Sequence, residues 1–210
     1  MRPSYGSNTI SVSDRGFTLV ELLVVIVVSA LLMAAFTGFY VSEQRAAKHH
    51  QIEVETSQGL RTALDQMSRD LRSARLDLSG SANPQITQAT STLIEFFLDA
   101  DDDGNASSTD SNEHKGYALV GTDLLKLDAA TAGATWTPND VDTEKLTENV
   151  SALSFTYRKC DDTTFTPANQ TDRDSIAAVD ISVTVTRQVI GGLPVSRTES
   201  ESVRLRNKFC

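Results

Sequence analysis

Residues 22–41 form an apolar run without a single charge, headed by one carboxylate, Glu21. About 20 predominantly apolar residues suffice to cross a hydrocarbon core as a helix, so this run must be shielded from water by lipid or by other protein. A chain of 210 residues with 40% hydrophobic content holds one globular domain besides such a segment. A carboxylate inside a lipid-crossing helix costs about 3 kcal/mol on insertion scales and calls for a partner. Directly ahead stands Arg15-Gly16-Phe17-Thr18. Cutting the chain before Phe17 creates an α-amino group, a cation of the right sign for that partnership.

Gly16, Phe17, Thr18, Leu19 and Glu21 match a known motif residue by residue. The stretch resembles the class III signal of type IV pilins and type II secretion pseudopilins. The resemblance implies that a short polar leader is removed after Gly16 and that Phe17 becomes N-methylated. It also implies that Glu21 pairs with the N-terminal amine of a neighbouring subunit during filament assembly. The partners implied are other pilins or pseudopilins through the N-terminal helix, a prepilin peptidase and methyltransferase, and the bacterial inner membrane. A secretory signal peptide fits poorly, because Glu21 interrupts its apolar core and no A-x-A-like cut site follows. A plain single-span anchor accounts for residues 22–41 but leaves Gly16, Phe17 and Glu21 unexplained.

The chain divides into a leader (1–16), a transmembrane and assembly half of one helix (17–41), an amphipathic half (42–80) and a β-rich head (81–210). Arg15 at the mouth of the apolar run keeps the leader in the cytoplasm and sends the head across the membrane into the periplasm, and later into a filament. Proline is absent between Pro3 and Pro84, so nothing forces a break in a helix from about residue 18 to 78. Leu60, Leu64, Met67, Leu71, Ala74 and Leu78 recur at steps of three and four, a narrow apolar stripe that packs on a sheet. Gly80 and Pro84 then stop the helix. Gly38 lies within the spanning run, where a glycine costs about 1 kcal/mol relative to alanine in a helix in water. Many pilins carry a proline at the matching place; this chain departs from them.

After Pro84 the pattern becomes strand-like. Residues 92–98, 117–120, 124–127, 152–159, 179–185 and 195–205 alternate or cluster β-branched and aromatic side chains. Leu153, Phe155 and Tyr157 fall on one side, as do Val179, Ile181, Val183 and Val185. One long helix followed by strands predicts an α+β fold, the helix covering one face of an antiparallel sheet. That layout is pilin-like. The strand ending in an Asp-rich turn, the return strand at Tyr117 and the closing Val203-Arg204-Leu205-Arg206-Asn207 resemble W-type minor pilins of type IV pili and J-type minor pseudopilins of type II secretion.

Asp99, Asp101, Asp103, Asn105 and Asp110 are candidate calcium ligands. The Asp-x-Asp-x-Asp-Gly spacing sets carboxylates at the first, third and fifth positions of a loop that turns at Gly104. A solvated acidic hairpin tip accounts for the same residues, since Asp, Asn, Gly and Ser are also the ordinary turn formers. Cys160 and Cys210 are the only two cysteines; outside the cytoplasm a disulfide between them would persist. No nucleophile elbow, phosphate-cradling glycine loop or zinc-protease helix is present, so the chain does not read as an enzyme. Of the three histidines, His114 alone is left as a base, in a segment that reads as a polar loop. The net charge of −9 disfavours nucleic acid as a partner, and Arg69, Arg72 and Arg75 read as intrahelical ion-pairing residues beside Asp65, Asp70 and Asp77. The rival class is an anchored extracytoplasmic calcium- or ligand-binding module that never polymerises.

Overall fold

The computed structural model describes residues 16–74, 86–99, 113–129, 143–189 and 193–205. It divides into two compact units, Met1–Ala46 and Ala47–Cys210. Among the described residues of the first unit, every side chain is exposed, and from Leu19 onward all are helical. The helix, α1, runs Leu19–Ser73 and passes through Gly38 without a break.

In the second unit the last turns of α1 bury Thr56, Leu60, Ala63, Leu64, Met67, Ser68 and Leu71. The stripe is wider than the leucine spacing predicts: the small residues Thr56, Ala63 and Ser68 are buried beside it. Full burial of each large apolar side chain contributes about 1.5–3 kcal/mol. The helix ends at Ser73, short of the predicted 78–80. The Ala74 N–H is shared between the carbonyls of Asp70 (3.0 Å) and Leu71 (3.2 Å), the tightened last turn common at helix ends. Ala74 then pairs with Leu98 in an antiparallel bridge. Sheet pairing here overrides helix propensity. Leu78, Gly80 and Pro84 lie outside the described residues.

The predicted strands appear with small shifts of boundary, and they form two antiparallel sheets instead of one. The first sheet is ordered β1-β2-β3-β4-β5, with β1 Ile86–Ala89, β2 Leu93–Phe97, β3 His114–Val120, β4 Asp123–Ala129 and β5 Thr143–Thr147. Gly121 (φ 61°) opens the two-residue β3–β4 turn, a positive φ at the first central residue being what a II′ hairpin turn requires. The second sheet is ordered β7-β6-β8-β9, with β6 Val150–Arg158, β7 Thr164–Phe165, β8 Ala178–Arg187 and β9 Val195–Arg204. The short helix α2, Gln170–Asp174, is capped by the Asn169 side chain.

Period-two alternation explains the second sheet. Leu153, Phe155 and Tyr157 of β6 and Val179, Ile181, Val183 and Val185 of β8 are all at most 5% exposed and join the α1 stripe in one core. Their neighbours Ser154, Thr156, Ser182 and Thr184 face outward. The sheets are stitched together where the Phe155 N–H donates to the Ser91 carbonyl (2.8 Å) and the Val150 N–H to the Thr122 carbonyl (2.9 Å).

Charges tie the second sheet to the helix. On β9, Arg197 pairs with Glu53, Glu199 with Arg61 (3.8 Å) and Glu201 with Arg72 (3.1 Å). Arg72 therefore does not pair within its own helix, as the sequence suggested, although Arg69 does, with Asp65 at 3.0 Å. Asp70 also turns inward: it accepts from the Tyr117 hydroxyl at 2.6 Å and lies 3.8 Å from Lys126 Nζ. Inward-pointing charges on an edge strand also discourage pairing with stray chains.

Candidate functional site

The site begins at the first turn of α1, where four backbone N–H groups have no partner within the helix. Thr18 and Glu21 satisfy part of that demand as a reciprocal capping box. The Thr18 N–H donates to Glu21 Oε2 at 3.0 Å, and the Thr18 hydroxyl donates to the same oxygen at 3.0 Å. In return the Glu21 N–H donates to Thr18 Oγ1 at 3.2 Å. The T-x-x-E spacing is a sequence-level signature of this arrangement and gives Glu21 a partner within its own chain, besides the intermolecular amine that the motif implies.

Two consequences follow. Glu21 is held on its own helix end, where the macrodipole favours a negative charge, by contacts within its own chain. Both intrachain bonds use Oε2, leaving Oε1 without a hydrogen bond among the described residues. The box also starts the helix at Leu19, with Gly16 and Phe17 ahead of it outside the helix and exposed; Phe17 is 82% exposed. Beyond Glu21 the apolar side chains from Leu22 to Tyr40 lie open, and α1 contains a window long and apolar enough to cross a membrane, none of it buried by protein.

The other predicted site residues are scattered. Asp99 follows β2 and is 6% exposed; Asp101, Asp103, Asn105 and Asp110 lie outside the described residues. Among the described residues no three His, Cys, Asp or Glu side chains gather as a metal site. Cys160 sits in the exposed turn after β6, and Cys210 lies outside the described residues. His114 is not in a polar loop. It opens β3, is 4% exposed and stacks on Phe97 with ring centroids 4.5 Å apart. Its Nε2 lies 2.7 Å from Glu95 Oε1, without hydrogen-bond alignment. Alternation across β2 and β3 puts these side chains on one face, a burial that a single short strand pattern does not reveal.

A family model described as the prokaryotic N-terminal methylation motif matches residues 12–37, the stretch that contains the capping box and most of the exposed apolar run. No curated protein matches the chain.

Proposed function

From the premise that this is a pilin- or pseudopilin-type protein, carrying the class III prepilin signal, we propose that it is a minor pilin or minor pseudopilin, a structural subunit of a type IV pilus or type II secretion pseudopilus. The observation that carries the proposal is the geometry of Glu21. One carboxylate oxygen is fixed by Thr18 and the other has no hydrogen bond among the described residues, at the head of an apolar helix whose side chains are exposed.

In this reading a prepilin peptidase cuts after Gly16 in the inner membrane and Phe17 is N-methylated. The helix holds the precursor in lipid, with the β-rich head on the periplasmic side. During assembly the apolar faces of several subunits cover one another, and the Phe17 amine of one meets Glu21 Oε1 of the next. Charges at contact distance attract several-fold more strongly at low effective dielectric than in water, so the pair forms best once lipid or protein has excluded solvent. The head then supplies the contacts between subunits. Calcium at Asp99, Asp101, Asp103, Asn105 and Asp110 is a separate proposal for the head; millimolar calcium should raise its melting temperature, and the absence of heat or shift on titration would remove the site.

The test of function uses two variants. Gly16→Ala should leave the chain uncut, and Glu21→Ala should leave it cut but not assembled. Normal filament incorporation of Glu21→Ala would overturn the mechanism.

A further inference from the structure

An open cavity of about 310 Å³ lies where the β1–β2 turn meets the edge of the second sheet. Phe155 and Tyr157 of β6 and Phe165 of β7 border it; the first two are buried in the core, so the half-buried Phe165 is the ring with an open face. Around them stand the hydroxyls of Ser91, Thr156, Thr164 and Thr166, which make no side-chain hydrogen bond among the described residues. No lining residue is charged. Beside the cavity, Lys159 Nζ sits 4.8 Å over the Phe165 ring.

We infer that this cavity binds a neutral carbohydrate, one pyranose ring of a glycan chain. A pyranose offers an apolar C–H face that lies against a single ring such as Phe165 and equatorial hydroxyls that exchange hydrogen bonds with Ser and Thr. The volume is at the small end of ligand sites, about 300–1,000 Å³, and suits a single ring. Other ligand classes fit less well. A metal ion or an amine has no carboxylate here to meet it, and a phosphorylated ligand has no cluster of Arg or Lys. A peptide adding as a strand needs a free edge, but the Phe155 N–H is already bonded to Ser91 and Tyr157 pairs with Phe165.

A second observation extends the site. Thr156 belongs also to the outer face of the second sheet, in register with Asp180 and Ser202. The adjoining row is Ser154, Ser182 and Ser200, and beyond it Thr184 bonds Thr198 at 2.8 Å and Thr186 lies 3.2 Å from Ser196. These rows of hydroxyls, with the Arg158–Asp180 pair (2.8 Å) at their cavity end, give the flanking rings of a glycan a polar surface. This goes beyond filament assembly and does not depend on Glu21.

The experiment is saturation-transfer NMR on the full chain in lauryldimethylamine oxide micelles, which carry no sugar headgroup. The probes are cellotriose and maltotriose, with sorbitol as a polyol that has no ring face. Transfer to the ring protons of at least one trisaccharide and none to sorbitol is expected. Thr166→Phe, a substitution at an exposed position that fills the cavity, should weaken binding by about tenfold or more, with a melting curve confirming that it folds. Phe165→Ala should do the same. No transfer to either trisaccharide at roughly 10 mM, or equal transfer to folded Thr166→Phe, would overturn the inference.

Discussion

Tyr157→Phe removes one hydroxyl and no packing volume, and the structure fixes both the size and the pH dependence of its effect. The hydroxyl donates to the Thr90 carbonyl at 2.6 Å, the residue is 3% exposed, and burial pushes the phenol well above its usual range. Thr90 itself is exposed, so water can take over its carbonyl in the variant. The loss at neutral pH is then that of an ordinary hydrogen bond, about 1 kcal/mol, or roughly 2–4 °C in Tm for a domain of this size. Above pH 10 the difference should shrink. The unfolded phenol ionises near pH 10 while the folded one stays protonated. Stability held by the protonated group is therefore complete below pH 10 and falls as pH rises, by about 1.4 kcal/mol per unit.

Phenylalanine has no such loss, so wild type and variant should be equally stable about 0.5–1 unit above pH 10, and the variant more stable beyond that. Lys145, whose ammonium is held above its usual value by the hydrogen bond to Asp123 and that carboxylate's charge, titrates alike in both proteins and cancels in the comparison. Denaturant midpoints at pH 7, 9, 10 and 11 give the four differences. A difference that stays constant through pH 11 would mean that the folded phenol ionises freely, and would refute the burial argument.

Three further outcomes are expected. Thr18→Val, which removes the capping hydroxyl, should cost the start of α1 about 1 kcal/mol, read as roughly fivefold faster amide exchange at Glu21 and Leu22 in micelles, whereas Thr18→Ser should retain protection. Arg72→Ala breaks a half-exposed ion pair with Glu201 and should change head stability by less than about 1 kcal/mol, an effect that fades in 1 M salt; a larger loss would mean that solvent does not screen the α1–β9 charges. Cys160→Ser should destabilise the head by about 4 kcal/mol if the proposed bond to Cys210 closes its loop of roughly 50 residues, and a reductant should lower the wild-type melting point similarly. Insensitivity to reductant would contradict the bond.

Periodicity carried most of the fold. The 3.6-residue stripe from Leu60 to Leu71 and the alternation in β6 and β8 are local patterns with one geometric meaning, and the burial of those side chains follows them. Elements decided by partners were harder to read. The short strands β1 and β5 contain few large apolar residues and exist because β2 and β4 pair with them. The helix end at Ser73 depends on a bridge to Leu98, far along the chain. Asp70 and Arg72 look like solvated helix charges until β3 and β9 arrive to meet them. At the site, Gly16, Phe17 and Glu21 were legible as a motif. The capping role of Thr18 is equally local, carried by the T-x-x-E spacing alone, and is separate from any attraction of Glu21 to a neighbouring amine.

Intact mass of the protein recovered from the inner membrane or from sheared filaments tests the central claim most directly. The account predicts a chain that begins at N-methylated Phe17, lacking residues 1–16. An uncut chain beginning at Met1, in cells where the protein works normally, would contradict it.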